Sequence, residues 1–311
     1  MSSDDDSDQA IDVGGILYHE RLTKTLSRIF QVNKVLYAGR TKYQRVEVVD
    51  TPDFGKMLIL DGKVQFSLKD EFIYHESLVH PVMLTHPSPE EVLIIGGGDG
   101  GALKEVLKHN TVKNVTLVDL DEEVMKIVKK YVPEMFKDSL EDSRVKILNM
   151  DGRKFLAETE NKYDIIIVDV TDPLGPSTLL YTKEFYQLVS SALKDGGAMV
   201  THSEGMFSCR KEFVTIYRTI ETVFRKVRAC RAFIPSFGDV WMFTIGSNTL
   251  DPVNVDVKII EERMKKRHVE TRFYHPEIHK ALFTLPKDLL KDLKEMKVEI
   301  STDKSPVQIS A

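Results

Sequence analysis

The chain has 311 residues, 42% of them hydrophobic, and 43 Lys and Arg against 48 Asp and Glu, for a formal charge of -5. That is enough apolar material for one large domain and a smaller companion, and the slight negative charge gives no general pull toward nucleic acid or anionic membranes, so neither is expected as a partner. No apolar run reaches the ~18 residues of a membrane span, the N-terminus lacks a basic-then-apolar leader, and Cys209 and Cys230 have no metal-type spacing, so a cytoplasmic protein without structural zinc is expected.

Residues 1–12, with Asp4, Asp5, Asp6 and Asp8 among serines, read as a disordered acidic tail. Residues 13–69 read as a small antiparallel β domain with hairpins: Arg45-Val46-Glu47-Val48-Val49 alternates, and Gly55 to Leu60 precedes the turn pair Asp61-Gly62. A linking helix is expected over Asp70 to Thr85, from Phe72, Ile73, Leu78, Val79 and Val82, with Pro81 inside it.

From there to residue 311 strand and helix alternate, which predicts one large α/β domain. The strands are Val92–Ile95, Val115–Val118, Val145–Leu148, Ile165–Val168 and Ala198–Thr201; the helices are Ala102–His109, Glu122–Tyr131, Lys154–Glu158, Thr182–Leu193 and Arg210–Phe224. Runs at Lys226–Ile234 and Val240–Ile245 read as an antiparallel hairpin closing the sheet edge, and Ile259–Lys266 and Pro286–Met296 as amphipathic tail helices.

Chemistry in such a sheet collects at the carboxyl ends of the strands. The loop Gly96-Gly97-Gly98-Asp99-Gly100-Gly101 follows the first of them, where glycines let backbone amides approach an adenosine-type ligand. Asp99 inside it would repel pyrophosphate and attract an ammonium. Asp119 lies 18 residues past Gly101, placed to accept from ribose hydroxyls. Asp151-Gly152 ends the third strand, where the carboxylate can meet an adenine amino group, cap the next helix, or do both. Asp169 and Asp172 stand three apart in a segment stiffened by Pro173, Gly175 and Pro176. Any one such acid reads equally well as a cap or turn former; five together point to a cavity for a nucleoside with a cationic tail.

On the motifs Gly62-Lys63-Val64-Gln65, Asp70-Glu71-Phe72-Ile73-Tyr74-His75-Glu76, Gly96 to Gly101 and Asp169 to Pro176, the chain resembles the spermidine synthase, or polyamine aminopropyltransferase, family from about Tyr18 to Ser305. The resemblance implies a methyltransferase-like Rossmann domain with a mostly parallel seven-stranded sheet behind a small N-terminal β domain, assembled as a homodimer or homotetramer. It implies aminopropyl transfer from decarboxylated S-adenosylmethionine, a co-substrate, to a primary amine such as putrescine, with release of methylthioadenosine and no metal or other cofactor. By it Gln44, Asp99, Asp119, Asp151, Gly152 and Pro176 would hold the donor. Gln65, Tyr74, His75, Asp99, Asp169 and Asp172 would meet the polycationic substrates, and Asp169, assisted by Tyr74, would accept the proton.

Many family members carry a tyrosine where this chain has Phe237, in the loop Ile234 to Trp241. Agmatine, longer diamines and spermidine, as in thermospermine-forming members, therefore stand beside putrescine as expected acceptors. An S-adenosylmethionine-dependent methyltransferase would share Asp119 and Asp151 without needing Asp99, Asp169 and Asp172 together. An NAD-dependent dehydrogenase would place Asp99 against pyrophosphate, and a non-catalytic polyamine-binding protein would not need Tyr74 with Asp169.

Overall fold

Antiparallel pairing takes up the segment from Ile16 to Ser67. In the computed structural model, which describes residues 15–309, β1 (Ile16–Arg21) pairs only with β2 (Ser27–Val32), while β3 (Lys34–Arg40), β4 (Arg45–Thr51), β5 (Gly55–Leu60) and β6 (Lys63–Ser67) form a meander. The expected β unit is thus two sheets, the chain passing between them at Asn33. The acidic tail read at residues 1–12 lies outside the described residues.

Helix α1 (Glu71–Thr85) buries every residue except Phe72 and Ile73. A helix wet on no side has no polar stripe, and this one lies among α2 (Gly101–Leu107) and the strands of the large sheet. It is clamped at both ends. The Glu76 carboxylate accepts the backbone N–H groups of Arg272, Phe273 and Tyr274, each at 2.8 Å. Buried Arg267 donates to the carbonyls of Met83, His86 and Pro87, satisfying acceptors that a helix end leaves open.

The large sheet uses β7 (Glu91–Gly96), β8 (Asn114–Asp119), β9 (Val145–Asn149), β10 (Tyr163–Asp169) and β11 (Leu193–Gly205) in parallel. β12 (Lys226–Ile234) and β13 (Asp239–Ser247) are antiparallel at the edge, in the order β12-β13-β11-β10-β7-β8-β9. The fold is the expected seven-stranded α/β sheet with its edge hairpin. Its strands alternate between two cores: Val92, Ile94, Ile165 and Ile167 face one, Leu93, Ile95, Ile166 and Val168 the other. Both faces are covered, which is why these strands read as unbroken apolar runs.

Between strands come α3 (Glu122–Tyr131), α4 (Gly152–Glu158), α5 (Lys183–Ala192) and α6 (Arg210–Glu221), then α7 (Val257–Arg267), α8 (Pro276–Leu282) and α9 (Lys287–Glu295). Two departures from the sequence reading matter. The short helix α8 was not expected, and β11 runs past Thr201 to Gly205. Among the described residues no helix is long and apolar enough to cross a membrane.

Candidate active site

β7 and β10 are neighbours although β8 and β9 lie between them in sequence, so strand order reverses there and a crevice opens at their carboxyl ends. The two strands finish together, Gly96 paired with Asp169. Gly96 has φ 80°, and a Cβ on it would lie 2.1 Å from the Asp169 carbonyl oxygen; only glycine fits this approach. The next amide, Gly97 N–H, donates to that carbonyl at 2.7 Å.

The Asp169 carboxylate is approached from α1. Tyr74 Oη donates to Oδ1 at 2.9 Å, while Oδ2 is shielded from solvent and has no hydrogen-bond partner among the described residues. Burial, and then the charge of Asp99, raise the Asp169 pKa to about 7. The same burial, with the Asp169 charge, pushes the Tyr74 phenol well above its ordinary value, so it stays a donor. His75, Asp99 and Asp169 each offer a polar atom within 4.8 Å of the others.

His75 stands behind Asp99, its Nε2 3.6 Å from Asp99 Oδ2 and its Nδ1 2.9 Å from both Glu71 O and Oε2. Burial favours the neutral ring, but Asp99 and Glu71 outweigh it and hold the imidazole pKa well above the usual value. Glu71 is likewise carried to about 2 against its burial, by His75 and by Lys104 at 2.7 Å. The two carboxylates beside the ring make the trio attractive to a cation. Only 1% of the His75 side chain is exposed, which makes it a support for Asp99 more than a cavity wall.

Further polar groups stand at the end of β8. Asp119 accepts from Gly98 N–H at 3.0 Å and Asp121 N–H at 2.7 Å, and burial raises its pKa to about 6. Gln44 Nε2 reaches over from the N-terminal sheet and donates to Asp121 Oδ2 at 2.9 Å, which brings it to the Asp119 turn. Asp151 caps α4, accepting from Lys154 N–H at 2.9 Å, so the cap reading of that acid holds. Gly152 lies against Ile95, and Pro176 is exposed at the start of the 3₁₀ turn Gly175–Tyr181.

A second cluster was only partly legible: Asp172, His202 and Glu204 present polar atoms within 4.8 Å of one another. His202 and Glu204 come from the last residues of β11, and a strand ended at Thr201 hid them from the same strand-end rule that found the other acids. His202 Nε2 is 2.6 Å from the Val170 carbonyl, an acceptor, so Nε2 carries hydrogen; Tyr181 Oη is 2.7 Å away. Burial lowers the His202 pKa, which keeps the ring neutral. Its Nδ1 and Glu204 Oε1 are buried without partners among the described residues. Burial and the Asp172 charge push Glu204 well above the carboxylate range, and burial raises Asp172. An acid whose pKa burial has raised gains most from a cation placed beside it.

Aromatic rings join the two clusters. Phe237 meets Tyr74 edge-on at 5.9 Å and Trp241 at 4.8 Å, and Trp241 stacks on His202 at 6.1 Å. Gln65 turns back on its own strand, donating to Lys63 O at 3.2 Å.

A family model described as Spermine/spermidine synthase domain matches residues 71–259. The chain belongs to the spermidine synthase family. A second model, Spermidine synthase tetramerisation domain, matches residues 16–67, the segment of β1 to β6. The polyamine aminopropyltransferase of Korarchaeum cryptofilum is 48% identical over 298 residues, covering 95% of this chain and 92% of that one. That of Caldicellulosiruptor saccharolyticus is 41% identical, over 86% and 95% respectively. A crystal structure of spermidine synthase in complex with the transition state analogue AdoDATO matches with TM-score 0.85 and 36% identity over 90% of this chain and 96% of that one. Spermidine synthase from Thermotoga maritima gives 0.84 at 36% identity, over 90% and 95%. The chain is a transferase of this family.

Proposed function

We propose that this family member transfers the aminopropyl group of decarboxylated S-adenosylmethionine to a primary amine, putrescine foremost, and releases methylthioadenosine. The observation that carries the reading is the shielded Oδ2 of Asp169, without a hydrogen-bond partner among the described residues, with Asp99 within 4.8 Å and Tyr74 fixed on the other oxygen.

An alkyl ammonium with a pKa near ~10.4 yields its free base at neutral pH at a cost of about 4–5 kcal/mol, so proton removal is part of the barrier. A carboxylate titrating near about 7 is a better matched acceptor than an ordinary aspartate. The nitrogen lone pair attacks the methylene carbon bonded to sulfur. The C–N bond forms as C–S breaks, the C–S electron pair returns to sulfur as a neutral thioether, and the nitrogen's proton passes to Asp169. Tyr74 keeps the carboxylate aimed, and alignment of nitrogen, carbon and sulfur supplies much of the acceleration.

Asp99 would take the ammonium of the aminopropyl tail and repel the carboxylate of ordinary S-adenosylmethionine. Asp119, with Gln44, Asp151, Gly152 and Pro176 around the same strand ends, would hold the adenosyl part. Asp172, joined by Glu204 and His202, would take the acceptor's second nitrogen. The sulfonium is itself a good leaving group, so the reaction calls for no cofactor. Exposed Ile16, Leu17, Leu26 and Ile29 on the first hairpin favour a homo-oligomer, dimer or tetramer.

The test is product identification by mass spectrometry after incubation with decarboxylated donor and equal putrescine, cadaverine, agmatine and spermidine. An aminopropylated amine with equimolar methylthioadenosine is expected. Methyl transfer from ordinary S-adenosylmethionine, or no product from any amine, would overturn the reading.

A further inference from the structure

The first hairpin reaches the amine side of the site through one guanidinium. Glu20 and Arg28 face each other across β1 and β2, and Arg28 Nη2 donates to Glu20 Oε2 at 2.6 Å. Glu20 is buried and fixed in turn, its Oε1 accepting from Val64 N–H on β6 at 3.1 Å. Arg28 Nη1 crosses to the turn Pro235–Phe237 and donates to the Ser236 carbonyl at 2.6 Å.

The other polar groups of Ser236 are held from the opposite side. Its N–H and Oγ donate to the buried Asp70 carboxylate at 2.6 and 2.9 Å, and Ser67 Oγ donates to Asp70 at 2.7 Å. Amide, hydroxyl and carbonyl of one residue are thus all taken. The next residue is Phe237, whose ring lies against Tyr74 and Trp241. Beside this clamp Arg28, Phe30, Phe54 and Pro235 line an open pocket of about 250 Å³. A buried ion pair is a poor device for stability alone, because desolvation offsets the attraction; its value is in fixing geometry.

We propose that Arg28 is a positioning residue for the acceptor amine: by holding the Ser236 carbonyl it sets the Pro235–Phe237 turn, and with it the aromatic wall that Phe237 and Trp241 present between Tyr74 and His202. The proposal rests on the reading above that the amine binds among these groups. Its charge bears on Asp172 as well. It also ties the segment matched by the tetramerisation model to the catalytic sheet.

Trp241 is the single tryptophan of the chain, so its fluorescence reports on the wall without any turnover. Arg28→Met, Arg28→Lys and Glu20→Gln would be compared with wild type by acrylamide quenching of Trp241, methylthioadenosine binding, thermal unfolding, and KM for donor and amine. Arg28→Met is expected to increase quenching and raise the amine KM about tenfold, as loss of a charged hydrogen bond does, with donor KM and methylthioadenosine binding within about twofold. Arg28→Lys, which keeps one donor, should recover part of both effects.

Unchanged quenching overturns the proposal whatever the kinetics show, as does an unchanged amine KM. A parallel rise of both KM values with a lowered Tm would reduce Arg28 to a general stabiliser and overturn it too. If Arg28→Met does not fold, Arg28→Lys and Glu20→Gln decide by the same readouts. A wild type that makes no aminopropylated product would sink the functional reading while leaving the quenching result to stand or fall alone.

Discussion

Tyr74 Oη donates to one oxygen of Asp169 at 2.9 Å and leaves the other, shielded from water, without a partner among the described residues. An aromatic donor on a fully packed helix thus meets an acid at the end of a strand 95 residues away in sequence.

Asp169→Asn removes the proposed proton acceptor and keeps the shape. Turnover should fall about 10²–10⁴-fold, the range for a lost general base, while calorimetric titration with methylthioadenosine should match wild type. The same variant should be more stable than wild type at alkaline pH. The folded pKa of about 7 lies above the unfolded value of ~3.9, so this group's contribution is full below that lower value and is lost as pH rises through about 7. The Tm advantage of Asp169→Asn should therefore grow between pH 4 and 7 and level off above, a difference of about 4 kcal/mol at most. A Tm gap independent of pH would contradict the shift.

Tyr74→Phe should move the acid limb of kcat/KM to higher pH. Activity needs the carboxylate form, and the Tyr74 hydrogen bond favours that form. Its loss raises the Asp169 pKa, so the variant loses activity earlier on acidification. A limb that stays in place or moves down would show that Asp169 is not the titrating group.

Asp172→Asn and Glu204→Gln should each raise the KM for the amine tenfold or more, the range for charged hydrogen bonds lost from a buried site, with donor KM unchanged in steady-state assays. Equal increases in both KM values would move this cluster out of the acceptor side.

Gly101→Ala should lower stability by about 1–3 kcal/mol, the cost of overpacking a rigid neighbour. A Cβ there would lie 2.2 Å from His75 Cε1 and Nε2, in a ring that Glu71 and Asp99 hold in place. Thermal unfolding would show it; an unchanged Tm would mean that α1 and α2 separate more easily than their packing implies.

Local chemistry carried much of this molecule. Helix α3 starts and stops where its sequence says: Asp121 accepts from Glu123 and Val124 N–H, acids fill the first turn and lysines the last, matching the helix dipole. Of the five acids found by the strand-end rule, Asp119 and Asp169 end their strands and Asp99, Asp151 and Asp172 follow theirs within three residues, because a strand that leaves a covered sheet must turn from apolar to polar residues there. Asp99, Asp119 and Asp169 gather at the crevice, and Asp151 caps α4 with one of its two carboxylate oxygens.

What the sequence could not settle was decided by contacts between distant segments. Helix α1 is packed on nearly every side, so periodicity, which reports the wet face of an element, had none to report, and nothing local said that His75 would stand behind Asp99. The extent of β11 was set by its neighbour β13, which carries the pairing on to Gly205 and so brings His202 and Glu204 to Asp172. Arg28 and Ser236 are 208 residues apart; a hydrogen bond of that kind exists only once both domains are folded and in register. Patterns along the chain record which groups avoid water, but which buried charge answers which is known only after the sheets close.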